Sequence, residues 1–534
     1  MASALNLELI VDHPDAGDLV RAYLDGDPSV ERFFGAHFSR MEAFGAKVTE
    51  VDGRFDRAAR ERSAERVIVP PGADPARLEQ FVAEGGYMVT TGQQPGLFGG
   101  PLYNVSKALT AARLAEALES RLGKPVVPLF WVSSEDHDWE EACHAEVIGV
   151  DNELHRVEVA APDAGVSPSI HRIRLRNGSA EAVDEFLRHL PQTDFSDEYF
   201  VLLRESFGPG RTLAEGFHTT LQHLLGRFGV FFTDGVLPAV KEASLPVLLE
   251  ELDRAEELEG VLRATAEAVQ QAGFALQVPI LEGGVNLFLE GPAGRERIYR
   301  EDDAYRLRTS GERLTRDDVR RRAEEDPTVL SPNVLMRPVI ESALFPTLGY
   351  VGGPGEMAYF GQLRAYFRAH GVEMPVVYPR WAATPIEGKI RKVLDKFGLE
   401  PEALRRPFHE VAGDIARDEM PAEVRAALGK LRGAIGSGLA ELKRAVGAID
   451  KTLAGPVQQT GSQAYVALDD LEKKVLQAVK REGEIGLAQL EKAQVHLYPL
   501  GKPAERVQSP FYYLSRYGGE VLDALYDRFA VNLG

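Results

Sequence analysis

The chain has 534 residues, of which 44% are hydrophobic and 27% charged, the balance of a folded protein rather than a disordered one. Lys and Arg total 61 against 81 Asp and Glu, a formal charge of −20 that excludes nucleic acid and anionic membrane surfaces as main partners but leaves room for a local basic pocket. The single cysteine, Cys143, excludes an intrachain disulfide framework, a Cys-rich zinc site and a dithiol redox centre.

The length predicts two to four domains. The first residues show no basic stretch leading into an apolar core, and no apolar run approaches the ~20 residues that span a bilayer. A cytoplasmic protein without membrane segments is expected. Residues 1–85 predict a helical segment: Leu19, Val20 and Tyr23, then Val30, Phe33, Phe34 and Phe38, recur at helical spacing, and Asp27-Pro28-Ser29 reads as a helix start. Residues 86–150 predict the first half of an α/β core. Tyr87 to Thr91 forms a short apolar run, a Gly/Pro loop follows, Val105 to Leu118 has helical spacing, and Pro125 to Val132 is a second buried strand. Strand, glycine loop, helix and strand make a βαβ unit of a parallel sheet.

Residues 151–225 read as an insertion, with alternating strands at His155 to Ala160 and His171 to Leu175 and helices after them. Residues 226–389 predict the second half of the core. They hold a strand at Gly229 to Gly235, one long helix over 239–271, small β segments such as Val285 to Leu289, and a late strand at Met374 to Pro379. In residues 390–495, Val424, Leu428, Leu431, Ile435, Leu439, Leu442, Val446, Ile449 and Leu453 form a heptad seam. A break at Gly455-Pro456 and Gly461-Ser462 and a second seam predict a projecting antiparallel coiled-coil hairpin, with a second copy covering its apolar side. Residues 496–534 are expected to return to the core.

Four constellations can carry chemistry. The loop from Thr90 to Lys107 bares helix N–H groups that suit a phosphate or carboxylate, with Gln93, Gln94, Asn104 and Lys107 as side-chain partners. It is neither a Walker loop nor GxGxxG, and a plain Gly/Pro connection reads the same. Ser133 to Glu141 follows a strand at the sheet's carboxyl edge, where open α/β sheets hold ligands. There His137 between Asp136 and Asp138 suits acid–base work, whereas a helix start capped by Ser134 accounts for the acids alone. Gly352-Gly353-Pro354-Gly355-Glu356 bares N–H groups and offers a carboxylate for an amine or ribose hydroxyls, with Tyr359 one turn on and Arg337 upstream as an anion fork; a tight turn with a helix-start acid is the plain alternative. Lys502 and Arg506 can clamp phosphates or simply be solvated. Cys143 reads as a small buried hydrophobe. No G-x-S-x-G elbow and no H-E-x-x-H helix is present.

Together, Gly92 to Tyr103, Phe130 to Asp138, Gly352 to Glu356 and Glu505-Arg506-Val507 resemble the bacillithiol biosynthesis cysteine-adding enzymes, the BshC family. The likeness is collinear from about residue 86 to the end. It implies a Rossmann-like parallel-sheet core similar to class I aminoacyl-tRNA synthetases, connective-peptide insertions and a helical coiled-coil domain that pairs two subunits. It also implies addition of L-cysteine to glucosaminyl-malate and an adenine nucleotide, ATP or ADP, near Lys502 and Arg506. The turn carries Asn104-Val105-Ser106-Lys107 where synthetases carry His-x-Gly-His, and no Lys-Met-Ser-Lys-Ser loop is evident.

On this reading Gln93, Gln94, Asn104 and Lys107 position the activated carboxyl or phosphate, and Asp136 and His137 orient the amine and move its proton. Ser134, Asp138, Arg337, Gly352, Gly353, Glu356 and Tyr359 complete the substrate site, and no metal is assigned. The rival readings are a metal-dependent hydrolase on Asp136, His137, Asp138 and His144, and a nucleotide-binding scaffold dimer.

Overall fold

A computed structural model describes residues 5–160, 166–176 and 178–534. What was expected of residues 161–165 and 177, inside the 151–225 insertion, and of residues 1–4 lies outside the described residues. The chain divides into two compact units, Met1–Pro385 with Glu505–Gly534, and Ile386–Ala504. Among the described residues no helix is long and apolar enough to cross a membrane.

The first unit is built on a five-stranded parallel sheet. Its strands are Tyr87–Gln93, Val126–Val132, Phe231–Asp234, Thr347–Gly352 and Val376–Pro379. Numbered one to five along the chain, they lie in the order 5-4-1-2-3. That is the doubly wound order, and it reverses between the first strand and the fourth. Val126–Val132 is buried at all seven positions. Strands covered on both faces need a continuous apolar run rather than alternation, which VVPLFWV supplies. Burial of Phe130 or Trp131 contributes about 1.5–3 kcal/mol per side chain.

Tyr103–Leu122 is the crossover helix between the first two strands, and its Val105, Ala108, Leu109, Ala112, Leu114, Ala115 and Leu118 are buried. Gly92 is required where the first strand ends, because a Cβ there would meet the Trp131 carbonyl oxygen at 2.7 Å. Between the third and fourth core strands sits a second, antiparallel sheet of Gly284–Gly291, Gly294–Glu301, Ala304–Leu307, Arg313–Leu314 and Leu330–Pro332.

Local expectations shift in four places. Leu7–Asp12 is a strand within the segment read as helical. The hairpin near 150 pairs His144–Ile148 with Leu154–Glu158, whereas His171 to Leu175 holds a single 3-10 turn, Ile170–Arg172. The 239–271 helix is two, Pro238–Asp253 and Ala255–Gln271, parted at Arg254. The coiled-coil helices are Ala422–Gly447 and Ala454–Glu482, so Ile449 and Leu453 lie in the connection and Gly461-Ser462 inside the second helix. Pro456 falls in the first turn, where its missing N–H costs nothing.

The second unit is helical. Its two long helices run antiparallel and are cross-braced by Arg432, which is 2.5 Å from Asp469 and 3.2 Å from Glu472. Leu431, Leu442, Val466 and Leu471 stay exposed along them.

Candidate functional site

The order reversal opens a crevice at the carboxyl ends of strands one and four, and two of the glycine loops flank it. Lys107 rises from the crossover helix into this crevice and is 1% exposed. Its Nζ donates to the Gly92 carbonyl and, at 3.2 Å, to Gln93 Oε1. It also meets Glu356 Oε2 at 2.7 Å. Glu356 belongs to the short helix Pro354–Phe360, just after the fourth strand, and accepts from the Gly353 N–H at 2.9 Å and from the Tyr350 hydroxyl at 2.5 Å. Arg337 extends the chain of contacts, donating to Tyr350 at 3.0 Å and to Glu341 at 2.8 Å. Burial pushes the Lys107 ammonium down, against the pull of Glu356. Burial also opposes ionisation of Glu356, but the Lys107 charge and the three hydrogen bonds outweigh it and hold the carboxyl below its usual range. The Lys107 charge therefore favours the carboxylate form of Glu356.

The second wall follows the second strand. Ser134 Oγ donates to Asp234 at 2.5 Å, with His218 on the same carboxylate at 2.8 Å. Glu135 is ion-paired with the buried Lys241. Asp136 Oδ1 accepts from the N–H of His137 at 2.6 Å and of Asp138 at 3.2 Å, an Asx turn. Asp138, not Ser134, caps the following helix, accepting from Glu141 N at 3.1 Å. Across from this loop, Arg295 of the antiparallel sheet sits 3.0 Å from His137 Nδ1. Burial and the Arg295 charge push the His137 imidazole down.

These walls enclose a cavity of about 450 Å³. Gln93, Gln94, Lys107, Asp136, His137, Arg337, Gly353, Glu356, Tyr359 and Arg506 line it. Four expected site residues serve the loops instead. Asn104 Nδ2 donates to the Gly99 carbonyl at 3.1 Å, holding the glycine loop. Ser134 and Asp138 have the anchoring roles above, and Gly352 ends its strand. Lys502 is exposed on the second unit. The residues sequence reasoning missed are Tyr103, Arg295, Arg297, Asn333 and Arg380. Arg380 follows the fifth strand, so the carboxyl-edge rule that selects Asp136 could have found it. Arg295 and Arg297 come from the antiparallel sheet, and no local motif marks them.

Six cations line the cavity, and only three have carboxylate partners: Lys107 with Glu356, Arg337 with Glu341, and Arg380 with Glu505 at 2.7 Å. Among the described residues Arg295, Arg297 and Arg506 have no ion-pair partner. Gln94 Nε2 and Arg297 Nε are buried without a hydrogen-bond acceptor. Buried donors of this kind are costly unless a ligand accepts from them. The chemistry that fits is recognition of a small anion beside a fixed ammonium–carboxylate pair.

The metal-hydrolase reading finds no support. Among the described residues no cluster of three metal-ligating side chains exists, Asp138 is spent as a cap, and His137 Nδ1 faces a guanidinium.

Comparison with known proteins agrees with this layout. Residues 8–381 match the family model described as bacillithiol biosynthesis BshC, N-terminal Rossmann-like domain, and residues 383–532 match BshC, C-terminal coiled-coil domain. A Salinibacter ruber protein named "Putative cysteine ligase BshC" is 34% identical over 82% of this chain and 80% of its own length. Its namesake in Symbiobacterium thermophilum is 31% identical over 96% of each chain. The one in Koribacter versatilis is 29% identical over 97% of this chain and 96% of its own. With both family domains matched in order over nearly the whole chain, this protein belongs to the BshC family of bacillithiol biosynthesis.

Proposed function

We propose that this chain is a cysteine ligase that joins the carboxyl of L-cysteine to the amine of glucosaminyl-malate, forming the amide of bacillithiol. Family membership supports the reaction class, and the observation that carries the substrate class is the cavity's set of cations without an ion-pair partner among the described residues, Arg295, Arg297 and Arg506. In a chain of charge −20 such a set suits a ligand with more than one carboxylate, as a malyl group has. Gln93 and Gln94 orient the acyl group, and Glu356, already holding one ammonium, favours a substrate amine nearby. Asp136 keeps one carboxylate oxygen committed to backbone N–H groups and the other for the substrate.

Amide formation from a free carboxylate needs activation, and an adenine nucleotide would supply its free energy. Arg506, exposed and without an ion-pair partner among the described residues, fits a phosphate of that nucleotide. The exposed stripe of Leu431, Leu442 and Leu471 supports a homodimer through the coiled coil. A cytoplasmic location completes the reading. Purified protein incubated with cysteine, glucosaminyl-malate and ATP should yield bacillithiol by mass spectrometry. No product with any nucleoside triphosphate would overturn the ligase assignment.

A further inference from the structure

Arg295 is 9% exposed, and each of its three side-chain nitrogens has a neutral partner. Its Nε donates to Ser331 Oγ at 2.9 Å, its Nη2 to the Pro332 carbonyl at 2.6 Å, and its Nη1 meets His137 Nδ1 at 3.0 Å. The guanidinium lies 4.0 Å from the Phe288 ring centre, and the same ring stands 5.3 Å from the imidazole. The backbone is pinned as well: Arg295 N donates to the Ser167 carbonyl at 3.0 Å, and Ser167 Oγ to the His137 carbonyl at 3.3 Å.

A guanidinium has five N–H donors and no acceptor. At the His137 contact it can only donate, so Nδ1 must present its lone pair and the ring proton must reside on Nε2. Nε2 makes no hydrogen bond among the described residues, and the side chain lines the cavity. We infer that Arg295 is a positioning residue that locks His137 as a neutral Nε2–H donor toward the cavity, so that His137 stabilises negative charge on a substrate oxygen and is not the acceptor of a substrate proton. This inference gives His137 a different part from the proton-moving role expected of it. The part His137 plays toward substrate rests on the ligase reading, but the tautomer does not.

The charged groups facing the imidazole are Asp136 and Asp138 of its own loop, Arg295, and Glu290 of the neighbouring strand. Three of the four are acids, so Arg295 is the one charge among them that opposes protonation, and it adds to the larger effect of burial. Full-length protein labelled with ¹⁵N-histidine tests the assignment by the protonation of each ring nitrogen against pH, with His137→Gln identifying the resonance. The wild type should show His137 Nδ1 unprotonated and Nε2 protonated at pH 7, with any titration displaced below the ordinary imidazole range. Arg295→Gln, whose amide can donate or accept, should shift the ring's titration upward, because the opposing charge is gone while Asp136, Asp138 and Glu290 remain. A protonated Nδ1 in the wild type overturns the inference even if the variant fails to fold, as does an unchanged titration in a folded Arg295→Gln. Bacillithiol formation alongside a protonated Nδ1 would sink this inference alone. A locked tautomer in a protein that makes no bacillithiol would sink the ligase reading alone.

Discussion

Replacing Lys107 by methionine keeps the shape of the side chain and removes the charge that holds Glu356 ionised. Lys107 is 1% and Glu356 22% exposed, so solvent screens the pair little. Removing one member of such a pair typically costs about 3–5 kcal/mol, because the other charge is left buried. Two hydrogen bonds, from Tyr350 and Gly353 N, remain on Glu356, which places the expected loss near the lower end, about 3 kcal/mol at pH 7. The pH dependence has a definite sign. In the wild type the Glu356 carboxyl is held below its unfolded value of about 4.3, so its contribution is present above that pH and is lost as pH falls through the folded value. In Lys107→Met, burial acts without the ammonium and pushes the carboxyl above its unfolded value. The variant should therefore regain stability relative to wild type as pH falls from 7 to about 5. Denaturant midpoints at the two pH values measure this, and adding Glu356→Gln should recover most of the pH 7 loss. A loss below about 1 kcal/mol, or one equal at both pH values, would refute the buried-pair reasoning.

Arg380 and Glu505 form a two-pronged pair at 3.0 and 2.7 Å with exposures of 3% and 2%. Arg380→Ala should cost about 3–5 kcal/mol in denaturant melts, and Arg380→Lys should not restore it, because one ammonium cannot fill both prongs. Asp136→Asn keeps an oxygen for the two N–H donors of its turn, so it should melt like wild type while bacillithiol formation falls about 100-fold or more; equal turnover would remove Asp136 from the chemistry. Asp138→Ala should do the opposite, lowering stability by about 1 kcal/mol as a lost cap with turnover within about threefold. If the proposed homodimer forms through the coiled coil, Leu431→Asp with Leu471→Asp, at 46% and 45% exposure, should lower the mass to that of one chain by analytical ultracentrifugation with helicity unchanged; an unchanged mass would refute pairing through this stripe.

The sheet was legible because its strands are covered on both faces, which forces unbroken apolar runs such as Val126 to Val132. The loops after them were legible because a parallel sheet gathers its carboxyl ends at one edge, whatever the distance along the chain. That rule brings Gln93, Asp136 and Glu356 to one cavity although more than 250 residues separate the first from the last. It cannot say whether a polar side chain faces the ligand or its own loop. Asn104, Ser134 and Asp138 have the right chemistry, but each is consumed within hydrogen-bonding distance of its own turn or a neighbouring strand end. His171 to Leu175 alternates like a strand yet finds no ladder, because the strand that pairs with Leu154–Glu158 lies upstream, at His144–Ile148. Arg295 and Arg297 were invisible for another reason. Their sheet is an insertion that folds over the crevice, and only the tertiary structure sets which of its alternating residues face inward.

The six cavity cations carry the same charge but not the same duty, and charge compensation separates them. Lys107, Arg337 and Arg380 each face a carboxylate of the chain, so the desolvation cost of burying them is offset within the fold. A ligand carboxylate would have to displace Glu356, Glu341 or Glu505 to reach them, at the cost of an unpaired buried acid. Arg295 is as buried as these yet meets only a hydroxyl, a carbonyl and an imidazole nitrogen, and burial pulls its guanidinium down. Asp136, Glu135 and Glu290 favour its charge from beyond ion-pair distance, so an anion entering the cavity can make the direct contact that no carboxylate of the described residues makes. Arg297, half-buried, and Arg506, exposed, line other points of the cavity and have no ion-pair partner among the described residues. The paired set therefore fixes the shape of the site, and the unpaired set determines the charge of what enters it.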